Sequence, residues 1–223
     1  MLLRSVSIVV NYDPSVTRRI CNISGAILIA LALMRPLRAL AAPDPMTETK
    51  TAINQVVALL KDRSLESNPA AWRQRLDDAV HTHFDFAMMA RAALGVHWSE
   101  LSEKQRNDFV ELFTHLFQVS YIRRIESYFV QPIVFVKESL EGTDYAQVDT
   151  NILNPAGQDP TSLNYRLKLE NDRWLVYDVV VDNISMVTNY RSQFARALDN
   201  ASVDSLMDHL RSKQKDLDAR HAE

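Results

Sequence analysis

The segment RWLVYDVVVDNISMVTNYRSQFARAL, residues Arg173–Leu198, begins with the pattern of a β-strand and ends with that of an α-helix. In an extended chain, alternate side chains point to opposite faces. One face of this strand carries Leu175, Tyr177, Val179 and Val181. The other face carries Asp178 and Asp182 together with Trp174, Val176 and Val180. Because both faces are largely apolar, whereas a surface strand has one polar face, the second face must be covered by more protein or by something that the protein carries.

Helical patterns occupy most of the chain before the first strand. Apolar residues recur at three- and four-residue spacings in four segments, which predicts four helices. The first covers residues 48–61, the second begins at Asn68 and Pro69, the third covers residues 83–94 and the fourth covers residues 102–129. Gly95 ends the third helix. The longest opens with a capping box, Ser102-x-x-Gln105. Its broad apolar face is unusually rich in aromatic rings and comprises Phe109, Leu112, Phe113, Leu116, Phe117, Tyr121, Ile125 and Tyr128.

Strand-like patterns follow the long helix. They cover residues 132–140, 145–153, 162–169 and 174–181, and turn signals separate them. Short turns join antiparallel neighbours, so the four strands form a meander. Helical spacing returns over residues 185–198, and a charged helix follows from Ser202 to about Leu217. Helices, then strands, then helices predict an α+β domain whose helices pack on a four-stranded antiparallel sheet.

The first 41 residues predict a cleaved signal peptide. Arg18 and Arg19 precede an apolar run over residues 20–34, and Ala39-Leu40-Ala41 places small residues where a signal peptidase cuts. The run is shorter than the about 20 apolar residues of a transmembrane helix, so an uncleaved anchor is the less favoured alternative. We therefore expect an exported protein with a single domain over residues 42–200 and a charged helix or tail over residues 201–223.

Charge and cysteine content exclude several kinds of site. The leader holds five of the 25 basic and one of the 28 acidic residues, so the exported chain has a net charge of 20 − 27 = −7. Such a body repels nucleic acid and anionic membrane surfaces, and no basic stripe with interleaved aromatics offsets that. The only cysteine, Cys21, lies in the leader. The exported chain therefore has no disulfide, zinc–thiolate site or cysteine nucleophile.

Two polar groupings could carry chemistry. His81, His83 and Asp85 have a spacing that suits a metal on a strand, but on a helix residues two apart do not share a face. We interpret them as solvated or capping residues. Asp178 lies in an apolar strand and could act as a general base, as in small cone-shaped isomerases. We favour the alternative, an ion pair with an arginine such as Arg91, Arg123 or Arg191.

The remaining signal is a surplus of apolar residues on the long helix and on both faces of the last strand. Such residues build either an ordinary packed core or the wall of a cavity for lipid or another hydrophobic ligand. Periodicity cannot separate these two readings, because cores and cavity walls use the same residue types.

Two blocks of sequence, residues 84–128 and 174–194, carry motifs in a characteristic order. The first contains Phe84-Asp85, Met89-Ala90, Leu94-Gly95, Trp98, Ser102, Gln105, Phe109, Phe113 and Tyr121. The second contains Tyr177-Asp178-Val179, Ser185, Tyr190-Arg191 and Phe194. In order and spacing they resemble the MlaC-type family of periplasmic phospholipid-binding proteins, the toluene-tolerance auxiliary components of ABC transporters. The family usually has glycine where this chain has Asn183, and asparagine is the next-best residue at positive φ.

The resemblance implies a curved sheet that encloses an apolar cavity with its helices. It also implies a monomeric periplasmic carrier of phospholipid, without enzyme activity, cofactor or metal. Its partners would be an outer-membrane lipoprotein complex and the lipid-binding subunit of an inner-membrane ABC transporter, in the maintenance of outer-membrane lipid asymmetry. By their predicted faces, the cavity-wall residues are Phe113, Leu116, Phe117, Tyr121, Ile125, Val179, Val181, Ile184, Met186, Val187 and Tyr190. The residues assigned to the scaffold are Asp85, Asp178 and Arg191.

Two other functions stay open at this point. A small isomerase or hydrolase would need Asp178 at the floor of an open pocket, where it could reach a substrate. A periplasmic adaptor that binds only protein would have a filled core. The space between the helices and the sheet therefore separates the three hypotheses.

Overall fold

The computed structural model describes residues 44–62, 68–129, 131–155 and 158–221, and the side chains at 69–70, 121–129 and 217–221 fall outside this description. Residues 1–41 lie outside the described residues, so the signal peptide over residues 1–41 stays a prediction, as do the domain limits at 42–200 and 201–223. Within the described part, no helix has both the length and the apolar character needed to cross a membrane.

The described residues form an α+β fold, which confirms the predicted class. The helices are α1 (Pro45–Lys61), α2 (Pro69–His83), α3 (Phe86–Leu94), a 3₁₀-helix (Gly95–Glu100), α4 (Glu103–Phe129), α5 (Met186–Leu198) and α6 (Val203–His221). The strands are β1 (Ile133–Glu141), β2 (Tyr145–Ile152), β3 (Thr161–Glu170), β4 (Arg173–Val181) and β5 (Ile184–Ser185). They form one curved sheet in the order β1-β2-β3-β4-β5, and all neighbours are antiparallel.

Local sequence signals fix where several helices start and stop. The predicted capping box is present: Ser102 N donates to Gln105 Oε1 at 3.0 Å and Gln105 N donates to Ser102 Oγ at 3.3 Å. Asn68 caps α2 by accepting from Ala71 N at 3.1 Å. Gly95 ends α3 with φ 65°, a left-handed conformation that glycine adopts without strain. The 3₁₀-helix that begins at Gly95 was not predicted.

The third helix begins at Phe86, three residues later than the predicted start at residue 83. Phe84 forms a parallel bridge with Val176 of β4, and Asp85 N donates to Val176 O at 2.9 Å. This long-range pairing holds Phe84 in an extended conformation, so α2 ends at His83 and Asp85 caps the next helix.

The prediction of four strands was wrong, because a fifth strand follows β4. Asp182 and Asn183 both have positive φ, 46° and 67°, as the two central residues of a tight hairpin turn require. The turn brings Ile184 opposite Val181 and Ser185 opposite Val180. A strand of two residues has no detectable alternation, and the sequence predicted only a helix over residues 185–198. In the structure Ser185 both pairs in β5 and caps α5.

A β-bulge in β4 explains why both of its faces are apolar. Arg166 of β3 lies opposite Asp178, whereas the next residue, Leu167, lies opposite Val176. Tyr177 is therefore an extra residue on β4, and it shifts the alternation of the strand by one. As a result, Val176 and Val179 share the face of the sheet that is turned toward the helices.

The described aromatic side chains on the apolar face of α4 pack against α5. The ring centroid of Phe113 lies 5.3 Å from that of Tyr190, and the centroid of Phe109 lies 5.7 Å from that of Phe194. Both pairs are edge-to-face, a favourable arrangement for aromatic rings. Helix α6 adds Leu206, Met207 and Leu210 to the same buried cluster. This helix–helix core leaves the space over the sheet to other elements.

Candidate functional site

An apolar cavity of about 450 Å³ lies between the inner face of the sheet and helices α1 and α2. Helix α1 supplies Thr49, Ala52, Ile53 and Val56 to its wall. Strand β3 supplies Leu163 and Tyr165, and β4 supplies Val176, Val179 and Val181. The volume falls within the range of about 300–1,000 Å³ that is typical of pockets for organic ligands.

The mouth of the cavity lies at the β4–β5 turn and the first turn of α5. Ile184 is an apolar lining residue, yet 61% of its surface is exposed. Asp182 and Asn189 also line the cavity and are exposed. Ile53, Leu163 and Val176 of the lining are buried. The cavity is thus apolar inside and polar at its rim.

The structure brings five of the predicted cavity-wall residues together: Phe117, Val179, Val181, Ile184 and Met186. Four others, Phe113, Leu116, Val187 and Tyr190, are buried in the core and are not part of the described lining. The side chains of Tyr121 and Ile125 lie outside the described residues. Whether any of the eleven contacts lipid stays a prediction.

There is a physical reason why some predicted wall residues lie in the core instead. A helix such as α4 can bury one apolar face against another helix or against a cavity, and the sequence pattern is the same in both cases. Here Phe113 packs against Tyr190 and Phe194 of α5, and among the described side chains of this face Phe117 is the one that lines the cavity.

Asp178 is buried, with 3% of its surface exposed, and it joins β4 to α5. Its Oδ2 pairs with Arg166 Nη1 at 3.1 Å and accepts from Ser185 Oγ at 2.7 Å. Its Oδ1 accepts from Val187 N at 3.1 Å. Both oxygens are therefore engaged in the scaffold, and Asp178 is not part of the described cavity lining.

The ion-pair partner of Asp178 is Arg166, and the three arginines considered from the sequence did not include it. The antiparallel register of β3 and β4 places Arg166 directly opposite Asp178. Cross-strand register cannot be read from spacing along one strand, and here the bulge shifts it by a further residue. The side chain of Arg123 lies outside the described residues.

The other two residues assigned to the scaffold lie at the ends of α3. Asp85 accepts from Met88 N at 2.8 Å and so caps the start of α3. Arg191 of α5 passes close to Gly95 at the end of α3, where a Cβ atom would come within 3.1 Å of Arg191 Nε. This position therefore needs glycine for its positive φ and for the neighbouring guanidinium.

The two histidines of the His-x-His-x-Asp grouping point to different surroundings. His81 is exposed and lies against Phe86, with ring centroids 5.0 Å apart. His83 is buried in the cavity wall, and its Nε2 is 2.9 Å from Gln55 Oε1. Burial lowers the pKa of His83, and the nearby Glu48 opposes this effect. Within the described ranges, no group of three or more His, Cys, Asp or Glu side chains could hold a metal ion.

Two parts of the site were not predicted from the sequence. The apolar stripe of α1 was recognised as a helical face, but nothing in it distinguishes a cavity wall from a core. Tyr165 of β3, which the structure places in the cavity lining, was not singled out either.

Comparisons with known proteins agree with this geometry. The family model for the MlaC protein matches residues 50–212, well over half of the chain. The chain belongs to the MlaC family. An MlaC relative from Haemophilus influenzae, the binding protein of an intermembrane phospholipid transport system, is 26% identical over 117 residues. That alignment covers 51% of this chain and 55% of the relative, so the match spans about half of the curated protein.

A solved structure has the same fold over a longer part of the chain than that alignment covers. The phospholipid-binding protein of Ralstonia solanacearum, determined in complex with a phospholipid, superposes with a TM-score of 0.70. The match covers 78% of this chain and 99% of that protein at 22% identity. At this identity the likeness establishes a shared fold, and it extends over most of the MlaC-family region.

Proposed function

We propose that this chain is a periplasmic phospholipid carrier that holds acyl chains in the cavity between α1, α2 and the sheet. The observation that carries the proposal is the cavity itself: about 450 Å³, apolar inside and open at a polar rim. The names of the Haemophilus influenzae and Ralstonia solanacearum proteins support the choice of ligand, since both refer to phospholipid. Membership of the MlaC family supports a role in lipid transport.

The physical need for such a carrier is clear. Exposing an acyl chain to water costs about 0.8 kcal/mol for each CH₂ group, so a free phospholipid crosses an aqueous compartment only very slowly. A cavity lined by Ile53, Val56, Val176 and Val179 replaces that water with apolar side chains. Met186 adds a flexible thioether that can adapt to chains of different length.

The headgroup would stay in water at the mouth, beside Asp182 and Asn189. In this proposal the protein works as a monomer that takes lipid from one membrane complex and delivers it to another. The two complexes are an outer-membrane lipoprotein complex and an inner-membrane ABC transporter with its lipid-binding subunit. No chemical step is required, and the engaged carboxylate of Asp178 favours a structural role over general base catalysis.

A vesicle transfer assay tests the proposal. Donor vesicles with a fluorescent phospholipid are separated from acceptor vesicles by a membrane that only protein passes, and transfer is followed with time. We expect the wild type to accelerate transfer. Val179→Trp places an indole in the cavity and should reduce transfer at least about tenfold. Val96→Trp is the matched control, because Val96 is 74% exposed and outside the described lining.

The two variants separate cavity occupancy from general effects of an added indole. Circular dichroism and thermal unfolding of both variants verify that the fold is kept. Wild-type protein that moves no phospholipid would overturn the proposal. Equal transfer by Val179→Trp and the wild type would show that the lipid is not carried in this cavity.

A further inference from the structure

Helices α3 and α5 form a basic surface on a chain that is acidic as a whole. The chain after residue 41 has a net charge of 20 − 27 = −7. Helices α3 and α5 pack against each other, and they carry three arginines, Arg91, Arg191 and Arg196, without any aspartate or glutamate. All three arginines are exposed. The bulk charge predicts repulsion from anionic surfaces, but the fold gathers the opposite charge on this pair of helices.

Arg91 and Arg191 both lie toward the end of α3. Arg191 reaches over from α5, and a Cβ atom on Gly95 would come within 3.1 Å of its Nε and 3.4 Å of its Nη2. Arg91 lies one helical turn before Gly95 on the same face of α3, because residues four apart on a helix are neighbours. Among the described residues, neither guanidinium forms an ion pair with a carboxylate. Two exposed cations without a counter-ion favour an anionic partner.

An exposed strip of α5 joins these arginines to the mouth of the cavity. Thr188 and Arg191 are exposed and lie on one face of the helix, since they are three residues apart. Ile184, just before the helix, is an apolar residue of the mouth and is 61% exposed. We call Ile184, Thr188, Arg191 and Arg91 the mouth strip. Cations beside a protruding apolar side chain are typical of surfaces that lie on a bilayer, where the cations meet lipid phosphates and the apolar group enters the boundary with the acyl chains.

Exposed carboxylates gather at the end of the sheet farthest from the mouth. Glu141 and Asp144 lie at the β1–β2 turn, and Asp172 lies in the β3–β4 turn. Strand β4 has 9 residues, so this end is about 30 Å from the mouth. That distance is well beyond the Debye length of about 10 Å in 0.1 M salt, so these carboxylates do not cancel an attraction at the mouth strip. Asp159 and Asp182 lie at the mouth end of the sheet, so the sign of the charge changes from the sheet to the helices across the mouth.

We propose that the mouth strip docks onto an anionic phospholipid bilayer, with both arginines on lipid phosphates and Ile184 at the boundary with the acyl chains. The binding is weak, since each basic residue near such a surface improves it only about fivefold. Weak binding suits a carrier, which has to leave the membrane again. The apolar contribution is one side chain rather than the packed apolar centre of a protein interface, which favours a bilayer over an acidic protein. The use of this contact for lipid exchange rests on the proposed carrier function, whereas the binding does not.

Vesicle flotation tests the inference. Protein from expression of the full chain is mixed, in about 0.1 M salt, with vesicles of phosphatidylglycerol and phosphatidylcholine in equal parts or of phosphatidylcholine alone. We expect about fivefold or more protein on the anionic vesicles. Most of this excess should disappear in about 1 M salt, where the Debye length falls to about 3 Å. Arg91→Gln and Arg191→Gln should each lower the binding to anionic vesicles about fivefold.

Arg73→Gln is the matched control, because Arg73 is exposed on α2 and lies outside the mouth strip. It removes the same charge and should bind as the wild type does. An equal loss in Arg73→Gln and Arg91→Gln would overturn the inference, because net charge rather than the strip would then govern the binding. Wild type that floats equally with both kinds of vesicle would also overturn it, and this comparison decides even if a variant does not fold.

Wild type that floats with neither kind of vesicle would overturn the inference as well, and would leave an acidic protein as the partner that the mouth strip fits. None of these outcomes bears on the carrier function, because phospholipid held in the cavity is measured on the protein itself.

Discussion

Ser185 and Asp178 join the end of the sheet to the helix that follows it: Ser185 Oγ donates to Asp178 Oδ2 at 2.7 Å. The same hydroxyl accepts from Thr188 N at 3.0 Å and so caps α5. Asp178 Oδ1 binds Val187 N in the first turn of that helix. A carboxylate at a helix N-terminus is stabilised by the helix dipole as well as by these hydrogen bonds. This corner fixes Ile184 and Met186 in the wall of the cavity.

Asp178→Ala should destabilise the fold by about 2–3 kcal/mol, because it leaves Arg166, Ser185 and Val187 N without their buried acceptor. Urea unfolding measures the loss of stability, and lipid selectivity is measured by displacement on the folded fraction. We expect the stability to change more than the selectivity. Asp208→Ala, at an exposed position on α6, should change stability by less than about 0.5 kcal/mol. Unchanged stability with lost lipid binding would contradict the structural role of Asp178.

Asn183 has φ 67°, in the left-handed region that an alanine adopts at a cost of about 1–2 kcal/mol. Asn183→Ala should lower the free energy of unfolding by about 1 kcal/mol, whereas Asn183→Gly should be close to neutral. Thermal or urea unfolding distinguishes the two. Asn107→Ala, at an exposed position in α4, is the control and should be neutral or slightly stabilising, since alanine favours helix. Equal effects of alanine and glycine at 183 would argue against the hairpin turn.

We expect the protein to lose stability on acidification because His83 is buried. Burial lowers its pKa in the folded protein below the ordinary value of 6.5, while Glu48 opposes this and Arg173 adds to it. Between the lowered pKa and 6.5 the unfolded chain binds more protons, so stability rises with pH in that window and falls as the pH drops through it. His83→Gln should flatten this part of the stability curve. His97→Gln should leave it in place, and loss of the slope in both variants would exclude His83 as its cause.

Phe113 should matter for stability rather than for lipid uptake. Its ring is fully buried between α4 and α5, against Phe109, Phe117, Tyr190 and Phe194. Phe113→Leu should cost about 1–3 kcal/mol of unfolding free energy by loosening this packing. Lipid bound per folded protein should stay at the wild-type level. A large loss of bound lipid without destabilisation would instead support the prediction that Phe113 belongs to the cavity wall.

Local chemistry made much of the fold predictable. Capping residues such as Asn68 and Ser102, the glycine at 95 and the polar turns each act within a few residues, so the sequence carries their signals directly. The left-handed backbone of Asn183 was expected through the family resemblance, because the family usually has glycine at this position. The order of the four longer strands followed from short turns alone.

The shape of the site depended on contacts between distant segments. The extra residue Tyr177 changes which side chains of β4 face the helices, and it is visible only from the pairing of β4 with β3. The same pairing selects Arg166 as the partner of Asp178. Helix α1 covers the sheet while α5 covers α4, a choice that depends on three-dimensional packing among faces of similar composition. The place of Tyr165 in the cavity lining likewise depends on the pairing of β3 with its neighbours.

In the proposed function, the chain holds phospholipid in the cavity between α1, α2 and the sheet. The most direct measurement is mass spectrometry of an organic extract of the protein, purified without detergent after expression of the full chain in bacteria. We predict close to one phospholipid per protein in the wild type and a marked loss in Val179→Trp, with Val96→Trp retaining the wild-type amount. Wild-type protein that is free of phospholipid and takes none from vesicles would contradict the claim.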